Sequence, residues 1–155
     1  MAAPHAKQSL RVWLRMLAAS KIIEKTIRNY LTNNFASTLP RFDVMSVLDR
    51  QDGPMTMSEL SGKLLVSNGN VTGLVSRLVD DGMMTREVDS NDRRTQRVEL
   101  TKAGRAAFRA MAIDHEKLVD SLFASLSDAQ MEQLLSLTTL LNTALHAKHI
   151  SPETP

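Results

Sequence analysis

The sequence contains no cysteine among its 155 residues. A disulfide framework, a thiolate zinc site and a thiol-based redox sensor are therefore excluded. No stretch approaches the roughly 20 consecutive apolar residues that a membrane-spanning helix needs. The N-terminus also lacks the apolar block of a secretory leader, so we expect a cytoplasmic protein with no membrane partner. The length is that of one domain with a substantial core.

The charge is almost balanced, at a formal net +2, but it is unevenly distributed. Residues 1–30 carry a net +5, residues 106–155 a net −3, and the middle of the chain is neutral. Any attraction of the middle for nucleic acid must therefore come from local clusters of basic residues. Among the four histidines, His146 and His149 are the only close pair. The end of a terminal helix explains that pair, so we predict no metal site and no cofactor.

Hydrophobic periodicity predicts helices in the first part of the chain. A first helix is expected over residues 7–31, with six basic residues opposite its apolar face. Two interpretations of that basic face are open: a solvated surface or an anion-binding surface. A loop over residues 32–38 precedes a second helix at 39–50. Thr56 and Glu59 form a T-x-x-E capping box that opens a third helix.

The next segment combines a short helix with a hairpin. Ser67 is expected to cap a fourth helix, and Gly82 lies where that helix must stop. Beyond it the period changes, and residues 84–88 and 96–100 are predicted strands joined by a polar loop. The order of these signals is that of a helix-turn-helix followed by a wing.

Two further helices complete the chain. Thr101 caps one that runs to about residue 124, and Ser127 and Gln130 form a second capping box that opens the last. Apolar residues cover more than one face of this last helix. Such a helix needs cover from both sides, which indicates a partner chain.

The fourth helix has two contrasting sides. An apolar stripe consists of Val71, Leu74, Val75 and Leu78. The opposite side carries the small and hydrogen-bonding residues Gly69, Thr72, Gly73 and Ser76, flanked by Asn70 and Arg77. Such groups let a backbone approach DNA, where asparagine can pair with adenine, a threonine methyl can touch thymine, and arginine can bind guanine or phosphate. The alternative is an amphipathic helix whose exposed side merely happens to be polar.

Arginines crowd the tip and the return strand of the hairpin, where a narrow minor groove favours inserted arginine. Asp92 is the expected internal partner that orients one of them. A solvated turn is the alternative, but the succession of helices, stop and basic hairpin favours DNA binding. The predicted DNA-binding residues are Ser67, Asn68, Asn70, Thr72, Gly73, Ser76, Arg77, Arg93, Arg94 and Arg97, with Asp92 bracing the wing.

Residues 55–105 resemble the winged helix-turn-helix of the MarR (multiple-antibiotic-resistance regulator) family. The matching marks are Ser67, Val71-Thr72, Leu74-Val75, Arg77-Leu78, Gly82, Asp92-Arg93-Arg94, Val98, Leu100-Thr101 and Gly104-Arg105. The resemblance implies a mainly α fold with a small β-hairpin wing, as a single domain over residues 1–155. Within it, residues 39–105 would form the DNA-binding lobe, residues 7–34 and 106–147 a helical dimerisation region, and residues 148–155 a flexible tail.

The resemblance also implies a function. Such proteins are homodimers that bind a pseudo-palindromic operator in double-stranded DNA and usually repress genes until a small molecule arrives. Carried over by residue, Ser67, Asn70, Thr72 and Arg77 would lie on the DNA, and Arg93 or Arg94 would enter the minor groove. Gly73 replaces a larger, often basic residue of the family, and Ser76 replaces a frequent acid. These two departures leave the pattern of base contacts open.

The segment SNGNVTGLVSRL, together with His115, is similar to a subgroup that responds to aromatic acids or their coenzyme A thioesters, such as p-coumaroyl-CoA. The basic face of the first helix would suit a ligand that carries several phosphates. The candidate ligand-binding residues are Trp13, Arg15, Tyr30, Arg41 and His115. Packing in the core or in an interface is the alternative explanation for each of them.

Two other classes of function remain as competing hypotheses. One is a small enzyme, but no Ser-His-Asp ordering, phosphate-cradling glycine loop or zinc-type histidine pair stands out. The other is a helical protein-interaction module in which the hairpin docks a protein. We therefore predict a regulator and not an enzyme.

Overall fold

The computed structural model describes residues 4–64 and 71–150. In chain order, the elements of this part are α1 (Pro4–Phe35), α2 (Leu39–Asp49), β1 (Met55–Thr56), α3 (Met57–Lys63), α4 (Val71–Asp80), β2 (Met84–Val88), β3 (Gln96–Leu100), α5 (Lys102–Phe123) and α6 (Asp128–Ile150). The predicted fold class, mainly helical with a small β-hairpin wing, is confirmed. Among these helices, none has the length and apolarity needed to cross a membrane.

The chain divides into two compact units, and the boundary falls within α5, after Val119. The hydrophobic core lies in the first unit and draws on almost every element there. Each of α1 to α4 and β3 supplies at least one side chain that is no more than 1% exposed, such as Leu31, Leu48, Leu60, Leu78 and Val98. Burying one such side chain contributes about 1.5–3 kcal/mol. This shared core fixes the position of α4 relative to the strands.

Helix α1 is longer than the sequence predicts, and the expected loop over residues 32–38 is wrong at its start. The helix continues through Phe35 and ends where Ala36 adopts a φ of +48°. Within the added turn, Thr32 Oγ1 donates to the Arg28 carbonyl and Asn34 Nδ2 donates to the Tyr30 carbonyl, each at 2.9 Å. These polar side chains bond back along the helix instead of competing with it.

Both predicted capping boxes are confirmed. The Thr56 hydroxyl accepts from the Glu59 amide at 3.2 Å, and the Glu59 carboxylate accepts from the Thr56 amide at 2.7 Å. At the start of α6, Ser127 and Gln130 make the same reciprocal pair, at 2.9 and 3.3 Å. Each box satisfies two amides that the first turn of a helix leaves without partners.

The strands form an antiparallel sheet in the order β1-β3-β2. Strands β2 and β3 have the predicted bounds, with Met84 opposite Leu100 and Arg86 opposite Val98. The two-residue strand β1 was not predicted, and it pairs Met55 with Val98. Strand β3 therefore lies in the middle of the sheet and β2 at one edge.

Gly82 ends α4 as predicted. Its φ is +72°, and the Gly82 and Met83 amides donate to the carbonyls of Val79 and Leu78, both at 2.9 Å. This is the Schellman arrangement, in which a left-handed residue turns the chain out of a helix. Strand β2 begins two residues later, so the stop sets the spacing between α4 and the wing.

The second unit contains the end of α5 and α6. From Asp128 to Ala147, every side chain of α6 is exposed. Apolar residues are spread around it: Met131, Leu134, Leu135, Leu137, Leu140, Leu141 and Leu145 are 36–68% exposed. An apolar surface of this extent is typical of a face that another protein surface covers.

Candidate nucleic-acid interface

Helix α4 lies with its apolar stripe inward, as predicted. Val75 and Leu78 are fully buried and Val71 is 8% exposed, while Leu74 packs partly buried against the core. On the other side, Thr72 and Arg77 are exposed, and Gly73 and Ser76 are half-buried. A polar side of small residues therefore faces away from the core.

Three of the predicted DNA-binding residues, Ser67, Asn68 and Asn70, lie outside the described residues. The expected start of α4 at Ser67 lies outside them too. The described part of α4 begins at Val71.

The wing loop is closed by hydrogen bonds around Asp92. Its carboxylate accepts from the Arg94 amide and from the Thr95 hydroxyl, both at 2.9 Å. The Asp89 amide donates to the Thr95 carbonyl at 2.8 Å across the base of the loop. Asp92 was expected to orient an arginine, and it contacts Arg94, but through the backbone amide and not through the guanidinium.

A different aspartate holds an arginine side chain. Arg97 Nε donates to the Asp89 carboxylate, which also accepts from the Asn91 amide at 2.7 Å. The hydrogen bond from Arg97, followed by that from Asn91, lowers the pKa of Asp89. Asp89 was not predicted as a site residue, although aspartate at the start of a turn is a usual signal because its side chain can accept from the amide two residues later. Because Arg97 is held in this way, its charge is largely compensated within the wing.

Three other arginines remain uncompensated. Arg77, Arg93 and Arg94 are exposed, and no carboxylate within the described residues lies at ion-pair distance from their guanidinium groups. Their charges can therefore act on an anion approaching α4 and the wing tip.

The candidate ligand-binding residues are distributed over several places. His115 packs against Phe42 of α2, with ring centroids 4.7 Å apart and ring planes tilted by 31°, and burial lowers the pKa of His115. Arg41, beside Phe42 in the chain, pairs with Asp81 at 2.7 Å. His115 and Arg41 are thus both placed around the start of α2.

The remaining candidates lie on α1. Trp13 is 56% exposed, Arg15 is exposed, and the ring of Tyr30 lies 6.3 Å from that of Phe35. In the described part of the chain, no hydrogen bond, ion pair or ring contact joins these three residues to His115. The described residues of one chain therefore do not assemble the five candidates through direct contacts.

Two cavities border the sheet. One, of about 400 Å³, is lined by the outer residues of β2, β3 and the wing loop. The other, of about 280 Å³, is lined by the start of α3 and by Arg94, Thr95 and Gln96. Neither includes a candidate ligand-binding residue, and the second places Arg94 beside the start of α3.

The sequence profile of the MarR family matches residues 37–95, from just before α2 to the end of the wing loop. The HTH-type transcriptional regulator YsmB of Bacillus subtilis is 30% identical over 118 residues, which are 76% of this chain and 78% of that protein. The chain belongs to the MarR family of transcriptional regulators. The family assignment agrees with the order of helices, stop and wing described above.

Solved structures share the fold of this MarR-family chain. Sco3205 of Streptomyces coelicolor, a MarR family regulator crystallised in complex with DNA, superposes with a TM-score of 0.79 at 21% identity, covering 99% of this chain and 93% of that one. BpsR of Bordetella bronchiseptica, whose DNA binding is regulated by 6-hydroxynicotinic acid, superposes with a TM-score of 0.75 at 23% identity, covering 85% of this chain and 98% of that one.

Ser76, which departs from the family pattern, makes two side-chain hydrogen bonds in this MarR-family chain. The Ser76 hydroxyl donates to the Thr72 carbonyl at 3.0 Å and accepts from Arg86 Nη2 at 3.2 Å. Sequence analysis did not single out Arg86. A guanidinium from β2 is thus bound to a hydroxyl on α4, at a position where the family often has an acid.

Proposed function

We propose that this MarR-family chain binds double-stranded DNA as a homodimer, with α4 in the major groove and the wing arginines in the minor groove. One observation carries the proposal: α4 buries its apolar stripe and presents its polar side beside exposed arginines without carboxylate partners. A helix that was merely amphipathic would not require this concentration of uncompensated positive charge.

The dimensions and chemistry of α4 support major-groove binding. Its ten described residues span about 15 Å at ~1.5 Å per residue, and the major groove is ~12 Å wide. We assign Thr72 to a base contact and Arg77 to guanine or phosphate. Gly73 and Ser76 would allow close approach, and Ser67, Asn68 and Asn70 would contact the DNA at the helix start.

The structure of the wing supports a second contact with DNA, in the minor groove. Arg93 and Arg94 follow Asp92, whose carboxylate closes the turn at its tip. A loop held by its own hydrogen bonds loses less conformational entropy on binding than a loose one. We assign Arg93 or Arg94 to the minor groove and Arg97 to the base of the wing.

The exposed apolar residues of α6 support the dimer. In α1, Leu10, Val12, Trp13, Leu14 and Ile22 are also 52–65% exposed. We propose that a second copy covers these surfaces, with residues 7–34 and 106–147 as the dimerisation region and residues 39–105 as the DNA-binding lobe. A two-fold dimer would place its α4 helices about one DNA turn apart, ~34 Å, on a pseudo-palindromic operator.

We further propose that the protein is a repressor, and that an aromatic acid or its coenzyme A thioester releases the dimer from its operator. The contact of His115 with Phe42 offers an aromatic surface, and the DNA binding of BpsR is regulated by 6-hydroxynicotinic acid, an aromatic acid. A ligand that prefers a different spacing of the two lobes would change DNA affinity by ~1–3 kcal/mol per coupled site. A thermal-shift screen of aromatic acids and their thioesters tests this part.

The DNA assignment is tested with an operator selected from a random pool and with fluorescence anisotropy at several salt concentrations. Arg94→Ala should weaken binding and reduce the slope of log K against log salt by ~1.8, because the dimer loses one phosphate contact in each protomer. Thr72→Ala should weaken binding to the selected operator more than to random DNA, because it removes a base contact.

The matched control is Arg50→Ala, since Arg50 is exposed at the end of α2 and is not among the assigned DNA contacts or in the proposed dimerisation region. It should leave affinity and slope unchanged. An unaltered slope and affinity in Arg94→Ala would overturn the wing assignment. Failure of the wild-type chain to bind any DNA at low salt would overturn the proposed function itself.

A further inference from the structure

Arg86 reaches from strand β2 to the side of α4 that faces away from the core. Its Nη2 lies 3.2 Å from the Ser76 hydroxyl and 3.5 Å from the Thr72 carbonyl. These are the residues of α4 that the proposed function places towards DNA. The guanidinium of Arg86 therefore lies at the edge of the proposed DNA interface, although Arg86 itself is in β2 and not in α4.

The surroundings of Arg86 differ from those of comparable arginines. Four arginines in the described residues are half-buried: Arg41, Arg86, Arg97 and Arg105. Arg41 pairs with Asp81, Arg97 with Asp89, and Arg105 with Glu99 and Asp49. Within the described part of the chain, Arg86 has no carboxylate within 4.0 Å, and the sequence of residues 65–70 contains no acid that could supply one.

The hydrogen bonds of Arg86 are also incomplete. Its Nε is enclosed and has no partner among the described residues, and Nη1 makes no hydrogen bond to them either. Partial burial of a cation costs free energy unless an opposite charge or hydrogen bonds compensate it. The hydroxyl and carbonyl on α4 supply neutral acceptors only, so the positive charge remains uncompensated in the free protein.

We infer that Arg86 is a DNA-contact residue, oriented by Ser76 and Thr72 so that its guanidinium receives a backbone phosphate beside α4. This inference rests on the proposed function. A phosphate would supply the negative charge and the acceptor oxygens that the described residues do not provide to Arg86. Arginine binds phosphate through two parallel hydrogen bonds. The hydroxyl of Ser76 is essential to this role, because a carboxylate at that position would neutralise Arg86 within the protein.

The test compares Arg86→Gln and Arg86→Lys with the wild-type chain on a selected operator and on random DNA. Glutamine keeps an N–H donor for α4 but has no charge, whereas lysine keeps the charge. The dimer loses one phosphate contact in each protomer, which should reduce the salt slope by ~1.8 and, at about 0.15 M salt, weaken binding roughly thirtyfold. We expect this loss with glutamine, equally on both DNAs, and recovery of most of the slope with lysine.

A purely structural role predicts another result. If Arg86 only holds β2 against α4, both variants lower the melting temperature and neither changes the salt slope, which would overturn the inference. Failure of both variants to fold would overturn it as well. Arg94→Ala, measured in parallel, separates the two proposals: a reduced slope there with an unchanged slope in Arg86→Gln refutes the role of Arg86 and leaves DNA binding intact.

Discussion

Gly104 lies in the first turn of α5, against the start of the wing, and alanine at this position should destabilise the fold. A Cβ there would stand 2.0 Å from the Met83 carbonyl oxygen and 2.9 Å from its carbon. That oxygen is held in place because it accepts from the Thr101 amide at 3.0 Å. The Thr101 hydroxyl in turn donates to the Gly82 carbonyl at 2.7 Å. Gly104→Ala must therefore displace the start of α5 from the root of the wing.

The magnitude follows from three contributions. Overpacking strain costs ~1–3 kcal/mol, and loss of the two hydrogen bonds of Thr101 costs ~0.5–1.5 kcal/mol each. The better helix propensity of alanine offsets up to ~1 kcal/mol of this loss. We expect a net decrease of about 2–4 kcal/mol in the free energy of unfolding, or roughly 5–15 °C in melting temperature for a chain of this size.

Gly62→Ala is the matched control. Gly62 lies in α3, and a Cβ there would meet nothing within 4 Å. Alanine should therefore leave stability unchanged or raise it by up to ~1 kcal/mol. Both variants are to be unfolded in urea and followed by circular dichroism at one protein concentration, because the proposed dimer would make stability depend on concentration. If Gly104→Ala were as stable as Gly62→Ala, the close packing of α5 on the wing would be refuted.

Two further predictions concern pH. Because its hydrogen bonds lower the pKa of Asp89, the stability that its ionised form supplies is present above the ordinary aspartate pKa and is lost as pH falls through the depressed value. Asp89→Asn should therefore lower the urea midpoint at neutral pH and reduce its acid dependence, and equal midpoints at pH 7 would contradict this. Burial lowers the pKa of His115 from 6.5, so the folded state favours neutral imidazole and loses stability as pH falls below that value. His115→Gln should flatten the dependence of melting temperature on pH in this range, and an unchanged profile would count against burial of the ring.

The sequence predicted the elements whose determinants lie close together in the chain. A capping box is complete within four residues, and both boxes, at Thr56 and at Ser127, occur where they were expected. The stop at Gly82 is equally local, since a positive φ is cheap only for glycine. The inward stripe of α4 was predictable because its period is helical and a core-facing helix must bury one side.

Other features depend on contacts that no local pattern encodes. Strand β1 has only two residues, so it has no period of its own and exists through its pairing with β3. The pairing of Arg97 with Asp89 was not predicted either. In the hairpin register, Glu87 lies opposite Arg97 and Val88 opposite Gln96, so that Asp89, the residue that follows β2, lies within reach of the arginine. Without that register, Asp89 and Asp92 are equally plausible partners.

The position of Arg86 could be assigned to one face of β2 from the alternation of side chains along a strand, but its role could not. Met84 and Arg86 are two positions apart and therefore share a face of β2, and Met84 is 2% exposed. Arg86 thus places a charge on the face that buries Met84, and an inward charge is a common means of protecting a sheet edge from aggregation. Strand β2 is indeed at the edge. Edge protection, however, requires only a charge, and lysine or glutamate would serve equally well.

The placement of α4 over that face of β2 distinguishes edge protection from DNA contact as the role of Arg86. Only a side chain that reaches α4 can donate to both the Ser76 hydroxyl and the Thr72 carbonyl, as Arg86 does. Sequence alternation therefore identifies an unusual charge, but only the packing of α4 on β2 shows which surface that charge serves. A role in edge protection would be revealed by aggregation of Arg86→Gln with normal DNA binding, whereas a role at the interface would change the salt dependence of binding while the protein stays soluble.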